Sequence, residues 1–462
     1  MSQATRKRIS EKVNSLRASD VLPFHGLLDA DMVTSALAEE GVRFHKCIYT
    51  PLITLCVSLS QVLDPDHSCR GAVARLIAWL SINGRTPCAP ETGTYCDARQ
   101  RLPLGVVTRL VRRTAQAIDE GAAADWPWKG HPVVLVDGTT ASMPDTAANQ
   151  AVYPQSSAQG IGLGFPLVRM VALISPATGV VRDLAVGPYQ GKETGETALF
   201  RTLWGGLNAG EIVLGDRYFG SYFGIAGLVQ RDVDALFRMH QRRKFDFRRG
   251  EQLGIGDHIV VWTKPERPEW MDEETYAPMP AELRARGLRI TVKQPGFRVD
   301  ELVPVTTLLD SERYPKGGVA DLFLERWNIE LDLRSIKVVL QMDVLRCKTP
   351  AMVHKEIWTH LLAYNLIRGV MAAAAVAHRR PLRQSSFKGA LQTMTAFHEA
   401  LRQAAPGDRG RLLKDLLEAI SRHRVGDRFG RVEPRANKRR PKPQKFLMEP
   451  RRQARKRLLP AA

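Results

Sequence analysis

The spacing of apolar residues along the 462-residue chain changes character twice, and each change predicts a different kind of structure. From about residue 10 to 125 the apolar positions recur at helical intervals. GLLDADMVTSALAEEG, YTPLITLCVSLSQVL, SCRGAVARLIAWLS and LGVVTRLVRRTAQAI each present one apolar face, and breakers such as Asp64-Pro65 and Asn83-Gly84 separate them. At HPVVLVDGTT the period is lost: Val133 to Val136 form an unbroken β-branched run closed by Asp137-Gly138, the signature of a buried strand. LVRMVALISP and VVRDLAVGP follow, with Ala177-Thr178-Gly179 as the turn between them. Helix ETALFRTLWGGL leads to a second short buried strand, EIVLGD, ending in Asp216; helix FGSYFGIAGLVQ and strand VDALFRMH complete the series.

The order β-β-β-α-β-α-β predicts an α/β mixed sheet of the ribonuclease-H kind, in which three strands meander before helices alternate with strands. From about Gln241 to Leu309 the pattern shifts again. GDHIVVWTK, LRITVKQPG and VDELVPVTTLL read as strands around the proline-rich PERPEWMDEETYAPMPAEL, a β-rich insertion. Helices HKEIWTHLLAYNLIRGVMAAAAVAH and SFKGALQTMTAFHEALRQ are expected to pack behind the sheet. Three regions result: an all-α N-terminal domain over 1–125, the α/β domain over 126–420 with its insertion at about 241–310, and a basic tail over 421–462. No internal repeat is present.

The helix predicted from near Gly318 contains FLERWNIELDLRSIK. At about 100° per residue, Phe323, Arg326 and Lys337 fall within roughly 40° of Glu330, while Leu322, Ile329, Leu333, Ile336 and Leu340 gather about 90° away. A carboxylate between two basic residues thus borders a core-facing stripe. The plainer alternative is a solvated helix with Arg326 and Glu330 as an i,i+4 ion pair.

Composition narrows the choice of partner. With 44% hydrophobic and 25% charged residues the chain is that of a globular protein, but its formal net charge is +19. The last 42 residues, Ser421 to Ala462, hold 15 Lys and Arg against 3 Asp and Glu. A concentrated basic tail without an apolar face suits a polyanion, nucleic acid above all, because neutralising phosphates releases counterions. Arg99, Arg101, Arg109, Arg112 and Arg113 read either as a DNA-facing surface or as a solvated helix face. Cysteines 47, 56, 69, 88, 96 and 347 show no zinc spacing and are expected to be buried thiols. No apolar run approaches the 18 residues of a membrane span, and MSQATRKRIS is followed by no apolar stretch, so a cytoplasmic location is expected.

Two aspartates, Asp137 and Asp216, end buried strands, where open α/β sheets bind ligands, and Glu330 lies on a helix beyond the insertion. Each Asp taken alone is a turn residue. Together they suggest carboxylates sharing divalent cations, the two-metal arrangement of phosphoryl transfer. GPYQGKE, Gly187 to Glu193, is not a phosphate-binding loop: it has three residues between its glycines and Glu193 where Ser or Thr belongs. No ATP site is expected.

The spacing Phe323-x2-Arg326-x3-Glu330-x6-Lys337 resembles the Tyr-Arg-Glu-Lys signature of DDE-class insertion-sequence transposases of the insertion-sequence-four family, with Phe323 in place of tyrosine. VLVDGTT and VLGDRYFGSY resemble the family's first and second aspartate blocks. TPLITLCVSLSQVLDPDHSCRGAVARLIA, TGTYCDARQRLP and EIWTHLLAYNLIRG extend the likeness from about residue 20 to 445. The resemblance implies that Asp137, Asp216 and Glu330 are catalytic ligands of two Mg²⁺, with Mn²⁺ able to substitute. Arg326, Lys337 and the aromatic Phe323 would bind DNA. It further implies cut-and-paste transposition by a homodimer pairing two element ends, on double-stranded DNA, with Trp262 or Trp270 of the insertion stacking a flipped base. A related metal-dependent nuclease and a catalytically silent DNA-binding repressor on the same scaffold are the alternatives.

Overall fold

A computed structural model describes residues 28, 30–42, 47–123, 125–240, 245–291, 301–425 and 448–458. The MSQATRKRIS segment, most of the basic tail and the end of LRITVKQPG lie outside the described residues. Five helices come first: α1 Ala30–Glu39, α2 Pro51–Leu63, α3 Cys69–Ile82, α4 Gly93–Arg101 and α5 Leu104–Glu120. Thr50 and Ser68 cap α2 and α3 by accepting from Ile53 N and Gly71 N, which satisfies amides that a helix start leaves orphaned.

Strand β1, Val133–Ser142, runs well past the predicted end at Asp137. A short helix, α6 Ala147–Val152, stands between it and β2 Leu167–Ile174, an element that the apolar pattern does not announce. Then come β3 Val181–Pro188, α7 Glu196–Thr202, β4 Ile212–Gly215, α8 Tyr222–Val229 and β5 Asp234–Arg238. β1 pairs antiparallel with β2 and β2 with β3, whereas β1, β4 and β5 are mutually parallel. This is the predicted meander followed by alternation.

The region predicted as an insertion supplies β6 Glu251–Gly254, β7 Asp257–Thr263, α9 Glu273–Tyr276, β8 Glu282–Leu288, the small pair β9 Ile290–Thr291 with β10 Glu301–Leu302, and β11 Pro304–Thr306. It does not form a separate sheet. β11 pairs with β5 and β8, which makes one nine-stranded sheet in the order β3-β2-β1-β4-β5-β11-β8-β7-β6. Arg286 on β8 is fully buried and donates to Asp257 Oδ1 and Oδ2 at 2.7 and 2.6 Å, tying β8 to β7 under the sheet.

Each sheet face has its own core, as period-two alternation requires. On one face Val133 and Leu135 meet Leu110, Val111, Ile329 and Leu361; on the other Val134 and Val136 meet Phe200, Phe219 and Ile225. The first core also takes in Val33, Leu37 and Leu55, so the N-terminal helices pack into the same apolar mass as the sheet. At its centre is α12, Pro350–Ala377, preceded by α10 Lys316–Leu324 and α11 Trp327–Arg334, and followed by α13 Phe387–Gln403, α14 Pro406–Arg422 and α15 Arg451–Leu458. By length and composition α12 does meet the criterion for a membrane span, contrary to the sequence reading, but 83% of its most apolar window is buried inside the protein. It is the core helix. The six cysteines are free; five are partly buried and Cys47 is exposed, so the expectation of buried thiols fails there.

The N-terminal helices meet α12 through a pair of imidazoles. His67 stacks on His360 at 5.8 Å, and burial, then His360 and Arg346, push His67 down to about 4. A folded imidazole that stays neutral opposes an unfolded one that takes a proton below pH 6.5. Stability is therefore full above pH 6.5 and falls as pH drops toward 4, by on the order of 2–3 kcal/mol. Thermal melts should show a lower Tm at pH 4.5 than at pH 7, and His67→Phe should reduce that difference; equal dependence in both proteins would refute this assignment.

Candidate active site

Leu135 belongs to the core under α12, so alternation directs Asp137 to the same face; Leu214 and Asp216 repeat the relation on β4. β1 and β4 are paired up to Val136 with Gly215. One residue further come Asp137, still on β1, and Asp216, directly after β4, close enough for the charge of Asp216 to act on the Asp137 carboxyl. Asp137 Oδ1 accepts from Gly138 N at 2.8 Å, and Asp216 Oδ1 from Arg217 N. Burial pushes the Asp137 carboxyl up to about 6; Gly138 N and Arg326 pull the other way, and Glu196 and Asp216 add to the rise.

The column on FLERWNIELDLRSIK is not preserved. α10 ends at Leu324, α11 starts at Trp327, and Ser335–Val339 winds as a π-helix, so one continuous wheel does not describe the segment. Phe323 is 2% exposed in the main core and presents no face to DNA; it shares the buried side of α10 with Val319 and Leu322. Arg326 is nearly buried, its Nε has no hydrogen-bond partner, and its guanidinium lies over Trp327 at 5.0 Å. Glu330 is half exposed, with Oε1 3.9 Å from Arg326 Nη1. Lys337 is partly exposed within the π turn.

Convergence of three acids is therefore incomplete. Among the described residues no group of three or more His, Cys, Asp or Glu side chains is placed to hold a metal. Asp137 and Asp216 fit a hard divalent cation by donor chemistry and adjacency. Glu330, as oriented, does not join them, because its charge is directed to solvent and to Arg326. The orphaned Arg326 Nε beside Asp137 is a donor without an acceptor, the state expected of a group that meets an anionic ligand.

Two further residues belong here that the sequence reading missed. Arg238 ends β5, on the same face and next in the row after Asp216; burial lowers its pKa, Asp216 offsets this, and Arg217 and Arg326 repel it. The strand-end rule that found both aspartates would also have found it. Glu196 opens α7 and packs against Gly138, where any Cβ would collide with its carboxylate. Nothing in the local pattern around Glu196 indicates that approach.

The candidate DNA-facing arginines mostly turn out to be neutralised internally. Arg99 contacts Cys69 and Cys347 Sγ at 3.7 and 3.6 Å, Arg109 pairs with Glu39 and Glu40, Arg112 with Asp183 and Arg113 with Glu39. Arg109 and Arg113 hold α5 to α1, and Arg112 holds it to β3. In the insertion, Trp262 is partly buried against the second core, whereas Trp270 is 36% exposed, with Arg201 Cζ 3.7 Å from its ring centre and Phe223 at its edge.

Residues 128–366 match the family model described as "Transposase DDE domain". The chain is 30% identical over 428 residues to the transposase InsG of insertion sequence element IS4 from Escherichia coli K12, covering 90% of this chain and 91% of that protein. It is 28% identical over 195 residues to the putative transposase InsL of IS186A from the same strain, 35% of this chain and 52% of that one. Among solved structures, piggyBac transposase in a synaptic complex with hairpin DNA aligns over 86% of this chain and 84% of its own with TM-score 0.42 and 8% identity. The chain belongs to the DDE transposase family, in the insertion-sequence-four group, and is an enzyme of DNA transposition that cleaves and transfers DNA strands.

Proposed function

We propose that Asp137 and Asp216 hold the divalent ions on which DDE transposases generally depend, and that Glu330 completes the set by rotating away from Arg326. The observation that carries this reading is the adjacency of the two aspartates on one sheet face, beside a nearly buried guanidinium with an unused donor. The sheet, with three antiparallel strands followed by parallel ones, is read as ribonuclease-H-like, preceded by the helical region up to 125 and followed by the basic tail from 421. Two Mg²⁺, replaceable by Mn²⁺, would supply an activated water or 3′-OH and neutralise charge at the phosphorus.

This chain's own groups do the rest. Arg326 and Arg238 flank the acid pair and clamp the phosphates on either side of the scissile bond, while Lys337 holds the backbone further out. When a phosphate takes over Arg326, the 3.9 Å contact to Glu330 is lost and that carboxylate is freed to turn inward. Trp270, with Arg201 over its ring, Phe223 at its edge and a third of its surface open, is the better placed of the two tryptophans to stack a flipped base. The overall reaction is cut-and-paste transposition by a homodimer joining two element ends in the cytoplasm, without ATP, since exchange of phosphodiesters needs no nucleotide fuel.

Glu330→Ala tests the part of the reading that depends on movement. Cleavage of DNA bearing an element end should fall by at least about 10²-fold, because a metal ligand positioned for the transition state is worth several kcal/mol, while DNA binding persists. An undiminished rate would remove Glu330 from the site.

A further inference from the structure

The connection from β1 to β2 carries an apolar side chain held in open water. Ile161, between Gly160 and Gly162, is 94% exposed, and Phe165 is 52% exposed. Such exposure is ordinary in a loose loop, but this one is braced from inside. Gln155 Nε2 donates to the carbonyls of Gln159 and Gly160 at 3.2 and 2.9 Å, and its Oε1 accepts from Gly162 N and Gly164 N, both at 3.1 Å. Gln150 and Gln190 brace Gln155 in turn: Gln155 N donates to Gln150 Oε1 at 3.0 Å, and Gln190 Nε2 to the Gln155 carbonyl at 2.8 Å. Gly162 takes φ +75°, a turn that a side chain would strain, and this shape keeps the isoleucine at the tip.

Two placements indicate what meets it. Ser142, the last residue of β1, pairs with Leu167, the first of β2, so the loop rises beyond the C-terminal end of the strand that carries Asp137, starting about 17 Å along the strand from that residue. Against Gly162 rests Pro450, 3.2 Å from where a Cβ would lie, and Pro450 leads directly into α15. That helix, RRQARKRL, has five basic side chains, all exposed, and is seated through Ala454, which is 7% exposed. An apolar point beside a dense positive surface, on the catalytic end of the sheet, has the composition of a minor-groove wedge: cations hold phosphates while the apolar group enters between base pairs.

We propose that Ile161 is such a wedge, inserted at a base step of the DNA held in the active site, with α15 gripping the adjoining backbone. The inference rests on DNA being the partner and is independent of which residues bind metal. The test uses the full-length protein and a duplex carrying the element end, with 2-aminopurine placed in turn at each step near the terminus. Ile161→Ser, fully exposed and so harmless to folding, should weaken binding roughly 10–100-fold and abolish the fluorescence rise at one step, with an unchanged Tm. Gln155→Ala, which loosens the loop but leaves the isoleucine, should give a smaller loss at the same step. Asp137→Asn run in parallel should lose cleavage yet keep the fluorescence rise at the same step, which separates this inference from the metal assignment. Unchanged affinity and fluorescence in Ile161→Ser would overturn the wedge. Unchanged DNA binding with a shift in oligomer mass would also overturn it, by making a second copy of the chain the partner.

Discussion

Asp137→Asn and Asp216→Asn should each reduce DNA cleavage by on the order of 10³-fold or more, the loss expected if the two aspartates hold a metal site worth several kcal/mol of transition-state stabilisation. The change is nearly isosteric and removes one negative charge from a pair that repels, so the folded protein is not harmed; Asp137, which burial already pushes up to about 6, gains stability when its ionised form is removed. Binding of element-end DNA should persist and even strengthen, since a basic site loses an anion. The measurement is single-turnover cleavage beside DNA affinity, at one salt concentration and pH 7.5. A variant that cuts at the wild-type rate would disprove a catalytic role for that aspartate, whatever its neighbours do.

The second large effect lies out of sight of the DNA. Asp332 on α11 is fully buried and faces away from Glu330, two residues before it. Its carboxylate accepts from Arg383 Nη1 at 2.9 and 2.8 Å and from Arg368 Nη2, and the Tyr364 hydroxyl stands 3.2 Å away. Arg383 continues to the carbonyls of Ser175 and Pro176 at the β2–β3 turn, and that hydroxyl is also 2.9 Å from the Gly179 carbonyl. One carboxylate thus fastens α11 to α12 and to the sheet. Asp332→Ala leaves two guanidiniums facing each other with no anion, Arg368 almost fully buried, and such a broken buried pair costs about 3–5 kcal/mol. Urea unfolding should register that loss, and cleavage should fall even where the variant remains folded, because α11 carries Glu330. Stability within 1 kcal/mol of wild type would show that the cluster is replaceable.

How much of this could be read beforehand depends on the range over which each pattern acts. Val133 to Val136 and EIVLGD are buried strands in fact as in pattern, because an unbroken β-branched run has no polar side to leave in water. Their aspartates share a face for the same local reason. The insertion was legible as strands but not as an extension of the main sheet, since the β5–β11 pairing joins residues about 70 positions apart. Arg109, Arg112 and Arg113 looked like a basic surface because their partners, Glu39, Glu40 and Asp183, are remote in the chain. Asp332 carries no local signal of its role, since its partners Arg368 and Arg383 lie 36 and 51 positions further along the chain.

The sequence by itself determined which segments are buried and that an acidic group closes each of two apolar runs, because side-chain alternation and apolar periodicity are set by a few neighbouring bonds; it did not fix the end of β1, which continues past Asp137 to Ser142 through its pairing with β2. Only the tertiary structure decided where Phe323, Arg326 and Glu330 point. A helical wheel keeps its phase only through unbroken turns, and here the helix breaks between Leu324 and Trp327, with Phe323 packed in the core before the break and Asp332 held by Arg368 and Arg383 after it. Phe323 went inside, Arg326 came to rest beside Asp137, and Glu330 was left at the rim.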